Sequence, residues 1–141
     1  MIDSAMPGRV AKAIHNRLST DLGVQAELGD PPRLYDSAPE DPIFPYLTYG
    51  DMKSEDEGGD GVSLARHSIT LHIWSRYSGR AEVFDVIDAV GHALEGAPIS
   101  LEQGQAVISA IPYMDVIRAR DGRTLQGLIR LNIYTQSGVS S

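Results

Sequence analysis

Cysteine is absent from the 141 residues, which excludes a disulfide framework and any thiolate metal site. Aromatic residues are sparse, with one tryptophan and two phenylalanines. No apolar run approaches the roughly 20 residues that a bilayer-spanning helix needs, so no membrane partner is expected. The start, Met1 to Gly8, lacks the charged lead and apolar stretch of a secretory leader, so none is expected there. Basic residues are in deficit, with 12 Lys and Arg against 19 Asp and Glu, a net charge of −7 and a pI of about 4.9. An acidic chain repels phosphates, which argues against a protein that grips nucleic acid. What remains is an ordinary composition, 42% hydrophobic and 22% charged. The length suits a single domain whose core needs no cross-links. That domain is expected over residues 1–135, with a small polar tail, 136–141, left flexible.

The charge that is present is unevenly placed. Asp36 to Asp60 holds eight carboxylates and one base, Lys53. Arg118 to Arg130 holds four arginines and one acid, Asp121. Two opposite poles on a small domain suit head-to-tail association between copies.

Hydrophobic periodicity then gives the elements. Val10, Ile14, Leu18 and Leu22 recur at four-residue steps, predicting a helix from near Pro7 to just before Gly23. Residues 24–45 read as a long connection carrying five of the eight prolines, with a short extended piece possible at Arg33 to Asp36. It is either a packed loop or an arm lying on a neighbouring subunit. Tyr46 to Met52 reads as a strand, Ser54 to Gly61 as a flexible acidic loop, and Ser63 to Trp74 as a second strand in which Ile69, Leu71 and Ile73 share one face. A second helix is expected from about Gly79 to Glu95. Val83, Ile87, Val90 and Leu94 form its stripe, widened by Phe84 and Val86, and Gly96 is its stop. Two strands close the chain, Gln105 to Arg118, where Pro112 forces a bend or an edge position, and Leu125 to Tyr134. Arg120 to Arg123 has the turn chemistry of a tight hairpin. The expected fold is therefore α+β: two helices packed on one face of a mostly antiparallel four-stranded sheet, in the order helix, hairpin, helix, hairpin.

Catalytic signatures are missing. There is no Gly-x-Ser-x-Gly elbow, no phosphate loop and no dinucleotide fingerprint. His15, His67, His92 and His72 are scattered, and a flat strand points His67 and His72 to opposite faces. Asp56, Gly58, Asp60 and Gly61 echo the start of a calcium loop, but His67 stands where the bidentate glutamate belongs. Loose divalent binding by Glu55, Asp56, Glu57 and Asp60 stays open beside the plainer reading of a solvated loop. No catalytic residue, resident metal or cofactor is expected.

A set of segments carries a resemblance. Ile73 to Glu82 is similar to the strand-to-helix junction of the small tail-completion, or tail-terminator, family of long-tailed phages and gene transfer agents. Arg33 to Asp36, Pro42 to Leu47, Ala93 to Gly96 and Asp121 to Thr124 followed by Gly127 resemble further family segments in the same order. The likeness spans roughly residues 8–135. It implies a structural protein made in the bacterial cytoplasm and assembled into a phage or phage-like particle at the head–tail junction. It further implies a homo-oligomeric ring, expected to have six subunits, that caps the tail tube. The implied partners are a head-completion or stopper protein on one side and the tail tube protein on the other. DNA passes through the lumen without specific binding.

An acidic lumen would let DNA slide. Glu55, Asp56, Glu57 and Asp60 are accordingly candidates to line the channel, or to dock on the arginines Arg118, Arg120 and Arg123 of a neighbour. Trp74, on the face of Thr70 and His72, either packs as local core under its turn or anchors a subunit interface. Two alternatives remain: another head–tail connector or tail-tube ring component, and a small cellular binding module or enzyme.

Overall fold

The computed structural model describes residues 2–59, 63–95 and 98–137. Its elements run α1 (Met6–Thr20), α2 (Leu22–Leu28), β1 (Leu34–Tyr35), β2 (Tyr46–Asp56), β3 (Leu64–Ser75), α3 (Ala81–Glu95), β4 (Gln105–Arg118) and β5 (Leu125–Gln136). The strands form one sheet in the order β1-β2-β3-β5-β4.

Strict alternation defines the centre of that sheet. In β3 every second residue from Ala65 to Ser75 is buried, and β5 repeats the pattern from Leu125 to Thr135. The register sets the two rows side by side, with Ile69 opposite Leu131, Leu71 opposite Ile129 and Ile73 opposite Gly127. The helices cover this face. Val83, Val86, Ile87, Val90 and Leu94 of α3 and Val10, Ile14 and Leu18 of α1 join the same core cluster. Each fully buried Leu, Ile or Val contributes about 1.5–3 kcal/mol by leaving water. The packing is close enough to specify a glycine. A Cβ on Gly127 would meet Val83 Cγ2 at 2.9 Å and Ile87 Cδ1 at 3.3 Å. Among the described residues the other sheet face carries no helix.

This architecture corrects the expected one. Instead of two helices and a four-stranded sheet in helix-hairpin-helix-hairpin order, the described residues form three helices and a five-stranded mixed sheet with one parallel pair. The extra helix comes from Asp21. Its extended backbone (φ −80°, ψ 126°) ends α1, and its carboxylate accepts the Val24 amide at 3.0 Å to start α2. Leu22, expected to close the first apolar stripe, is 80% exposed, while Val24 and Leu28 are buried. The extra strand is the Leu34–Tyr35 pair, which lies parallel to Leu47–Thr48. Leu34 is buried there, and the Leu47 amide donates to the Arg33 carbonyl at 2.9 Å.

Strand β2 also runs further than expected. It extends through the expected loop residues Ser54–Asp56, because Ser54, Glu55 and Asp56 stay in register with His67, Arg66 and Ala65. Phe84 does not widen the core stripe of α3 but stands 51% exposed. Strand β5 continues through Gln136. Gly96, the expected helix stop, and residues 138–141 of the expected tail lie outside the described residues.

Candidate functional site

The described acidic candidates, Glu55, Asp56 and Glu57, sit at one end of the sheet, at the β2–β3 hairpin. Across the ladder from Glu55 is Arg66. Its guanidinium meets Glu55 Oε1 at 2.7 Å and Glu57 Oε1 at 3.2 Å. The Arg66 hydrogen bond holds the Glu55 carboxyl below the usual carboxylate range. Asp56 Oδ1 accepts the Gly58 amide at 3.0 Å, which shapes the turn. The carboxylate cluster is thus partly neutralised from within by a base on the returning strand. Asp60 lies outside the described residues.

The arginine candidates sit at the other end, on the β4–β5 turn. Asp121 organises that turn. It accepts from Thr124 Oγ1 at 2.7 Å, the Thr124 amide at 2.8 Å and the Arg123 amide at 2.9 Å. These donors, the Thr124 hydroxyl first, pull its carboxyl down to about 2. Gly122 takes the positive φ of 73° that the turn requires. Arg118 donates to the Gly122 carbonyl at 3.2 Å, and Arg120 and Arg123 are exposed. Arg118 lies level with Leu125 and Ser75, whereas Glu55 lies level with Arg66. At about 3.3 Å per residue, that separates the two poles by roughly 30 Å along β3. They do not meet within one subunit.

Trp74 lies on the helix-free face near the arginine end. It stacks on Tyr46 with ring centroids 6.2 Å apart, and its indole N–H donates to Thr48 Oγ1 at 3.0 Å. Tyr46 in turn contacts Phe44 and Tyr35, and the Arg76 guanidinium covers Phe44 at 4.5 Å. This aromatic row fastens the proline-rich segment to its own sheet; Ile43, in that segment, is 68% exposed.

The histidines are dispersed. His67 is 1% exposed and held between Ser54 Oγ at 2.7 Å and Thr135 Oγ1 at 2.8 Å, and burial pushes its pKa down. His72 bonds Gln126, and His15 bonds the Tyr49 hydroxyl at 2.8 Å. Burial raises the Tyr49 phenol. Among the described residues no three acidic or histidine side chains converge as metal ligands, and no helix is long and apolar enough to cross a membrane.

Sequence reasoning allowed β4 an edge position through Pro112 but missed what the two flanks of the sheet present. Strand β4 is an edge strand, and it does not alternate: Val107, Ile108, Tyr113, Met114 and Ile117 are each exposed. Together with α3 it bounds a groove of about 360 Å³ that includes Phe84, Ile87 and Gly91. On the opposite flank α1 overhangs β2 to form a cleft of about 470 Å³. The available signal was the density of apolar residues in Gln105–Arg118. A strand apolar on both faces is one expected to be covered on both.

The sequence matches the family described as "Tail completion protein gp17" over residues 12–136. The fold is similar to a chain in the virion of a native gene transfer agent particle, at a TM-score of 0.85 and 20% identity. That match covers 96% of this chain and 100% of the other. It is also similar to the gp17 protein of bacteriophage SPP1, at a TM-score of 0.61 and 21% identity, covering 98% of this chain and 95% of that one. No curated protein matches the chain.

Proposed function

The chain belongs to the tail completion protein gp17 family, and from that premise we propose that it is a structural tail terminator of a phage or gene-transfer-agent-like particle. Six copies form a ring that caps the tail tube and joins it to the head-completion protein, and DNA passes through the lumen. The protein is made in the bacterial cytoplasm and has no catalytic step. The observation that carries this reading is the family match over residues 12–136. The likeness of fold to a chain of a gene transfer agent virion, over the whole of that chain, supports it.

The polar layout suits a conduit. We assign the hairpin end bearing Glu55, Asp56, Glu57 and Asp60 to the lumen side, where carboxylates keep DNA phosphates from sticking. Arg66 tempers that charge without reversing it, since it faces two carboxylates at once. The end with Arg118, Arg120 and Arg123 is assigned to contacts with acidic surfaces of adjoining proteins. Trp74, half-buried on the helix-free face, is the aromatic candidate for a contact there.

Cryo-electron microscopy of particles carrying a tagged copy tests the assignment. The tag is expected as a ring of density where head and tail meet. Density elsewhere, or a purified protein that stays a closed monomer and turns over a metabolite, overturns the reading. The lumen assignment has its own test in a variant with the four acids changed to amides. Unchanged rings together with unchanged particle yield would remove it.

A further inference from the structure

The two flanks of the sheet differ in a complementary way. Strands β1–β2 and β4 lie at opposite edges. On the β4 flank Phe84 and Met114 protrude, each 51% exposed. On the β2 flank the cleft beneath α1 is floored by Leu34, Met52 and Ile69. One flank therefore offers apolar projections and the other an apolar recess.

Charge follows the same division. The outward positions of α3 include Asp85, Asp88 and Glu95, against Arg80 before the helix and His92 on it. The outward positions of α1 carry Arg9, Lys12 and His15 and no acid. Lys12 has an internal partner in Glu102 at the surface, where such pairs exchange readily, and Arg9 has one in Asp3 that is half-buried. Asp36 at the cleft is the acidic exception.

Backbone pairing between flanks is poorly supported by β4 itself. Pro112 removes a donor, and the register with β5 shifts between Ala106 and Ile108 and again between Ala110 and Tyr113. Such interruptions blunt an edge as a template for a long ladder. Side chains are left as the means of contact.

We propose that the α3–β4 flank of one copy docks in the α1–β2 cleft of the next, with Phe84 and Met114 seated over Leu34, Met52 and Ile69. The contact joins two different surfaces on opposite sides of one subunit, the head-to-tail arrangement that closes into a ring when the rotation between successive copies closes. It rests on the reading that copies of this chain form such a ring, and it names the surfaces they use.

The lack of native cysteine makes the test clean. A chain carrying both Ala11→Cys, at the cleft, and Ala81→Cys, exposed one turn before Phe84 on the opposite flank, keeps the Phe84 anchor and is treated with a short bismaleimide. A ladder of covalent oligomers is expected from the double variant, only dimers from a mixture of the two single variants, and none from either alone. Dimers from a single variant alone would mean that like flanks meet, and would overturn the proposal. Sedimentation of the untreated wild-type protein and its position in particles separate the two claims. Rings without a ladder sink this interface and leave the ring standing. Absence of both sinks the ring as well. Independently, Phe84→Glu is expected to weaken self-association at least about tenfold, as loss of a central aromatic anchor does, while its far-ultraviolet circular dichroism stays that of the wild type. Unchanged association would count against the proposal.

Discussion

His67 shows how a single residue couples this fold to pH. The ring is buried between two hydroxyls, Ser54 and Thr135, and burial lowers its pKa. The unfolded chain therefore takes up a proton near pH 6.5 before the folded one does. Stability is expected to be full above that value and to fall as the pH drops toward the folded pKa. His72, shifted the same way, adds to the slope. The fully exposed His92 is shifted upward and opposes it. Thermal melts between pH 5 and 7.5 check this, and His67→Gln should flatten the slope. A wild-type midpoint that does not move in that interval would contradict the assignment. Gly127 gives a sharper steric case. Gly127→Ala puts a methyl 2.9 Å from Val83 Cγ2, and overpacking of this kind costs about 1–3 kcal/mol. Chemical denaturation measures it, with a lowered midpoint at unchanged slope as the expected result.

At the scale of elements, α2 depends on its cap more than on its length. A seven-residue helix is marginal alone, so Asp21→Ala should cost about 1 kcal/mol. It should also speed hydrogen exchange at the Val24 amide more than at Leu71 in the central strand. Equal protection at both sites would show that packing on α3 alone holds the helix.

The same element marks where sequence reading ran out. Alternation in Ile69–Ile73 and the stripe from Val83 to Leu94 were visible because both are long and periodic. Helix α2 was not, since Gly23 looked like a stop and only Val24 and Leu28 signal burial. For β1 the extended piece at Arg33 to Asp36 was legible, but not its parallel pairing with Leu47 and Thr48 across a stretch of prolines, a contact that no local pattern records. Among the candidate residues, the acidic and arginine clusters were legible as composition. Arg66 was overlooked as the partner of Glu55 and Glu57 because it lies eleven positions from the first of them, on the other side of a turn. Phe84 was misread because apolar character alone does not say which side of a helix a partner will cover.

Over the whole molecule, the division of labour is spatial. The core occupies one side of the sheet, the charged poles its two ends, and the apolar projections and recess its two edges. Each region can therefore be altered with limited effect on the others. A variant with Glu55, Asp56, Glu57 and Asp60 changed to amides should keep the wild-type melting temperature to within a few degrees, because solvent-accessible pairs such as the half-buried Arg66–Glu55 are worth about 0–1 kcal/mol. Differential scanning calorimetry decides the point, and a large drop would mean that the hairpin end supports the core.

A visiting cation that approaches the hairpin end finds a resident competitor, Arg66, already engaged with two carboxylates. Engagement of Glu55 or Glu57 is a displacement, in which one guanidinium or ammonium is swapped for another at little net gain. Passing charges are released as easily as they are admitted, and the surface discriminates against lasting attachment without being inert.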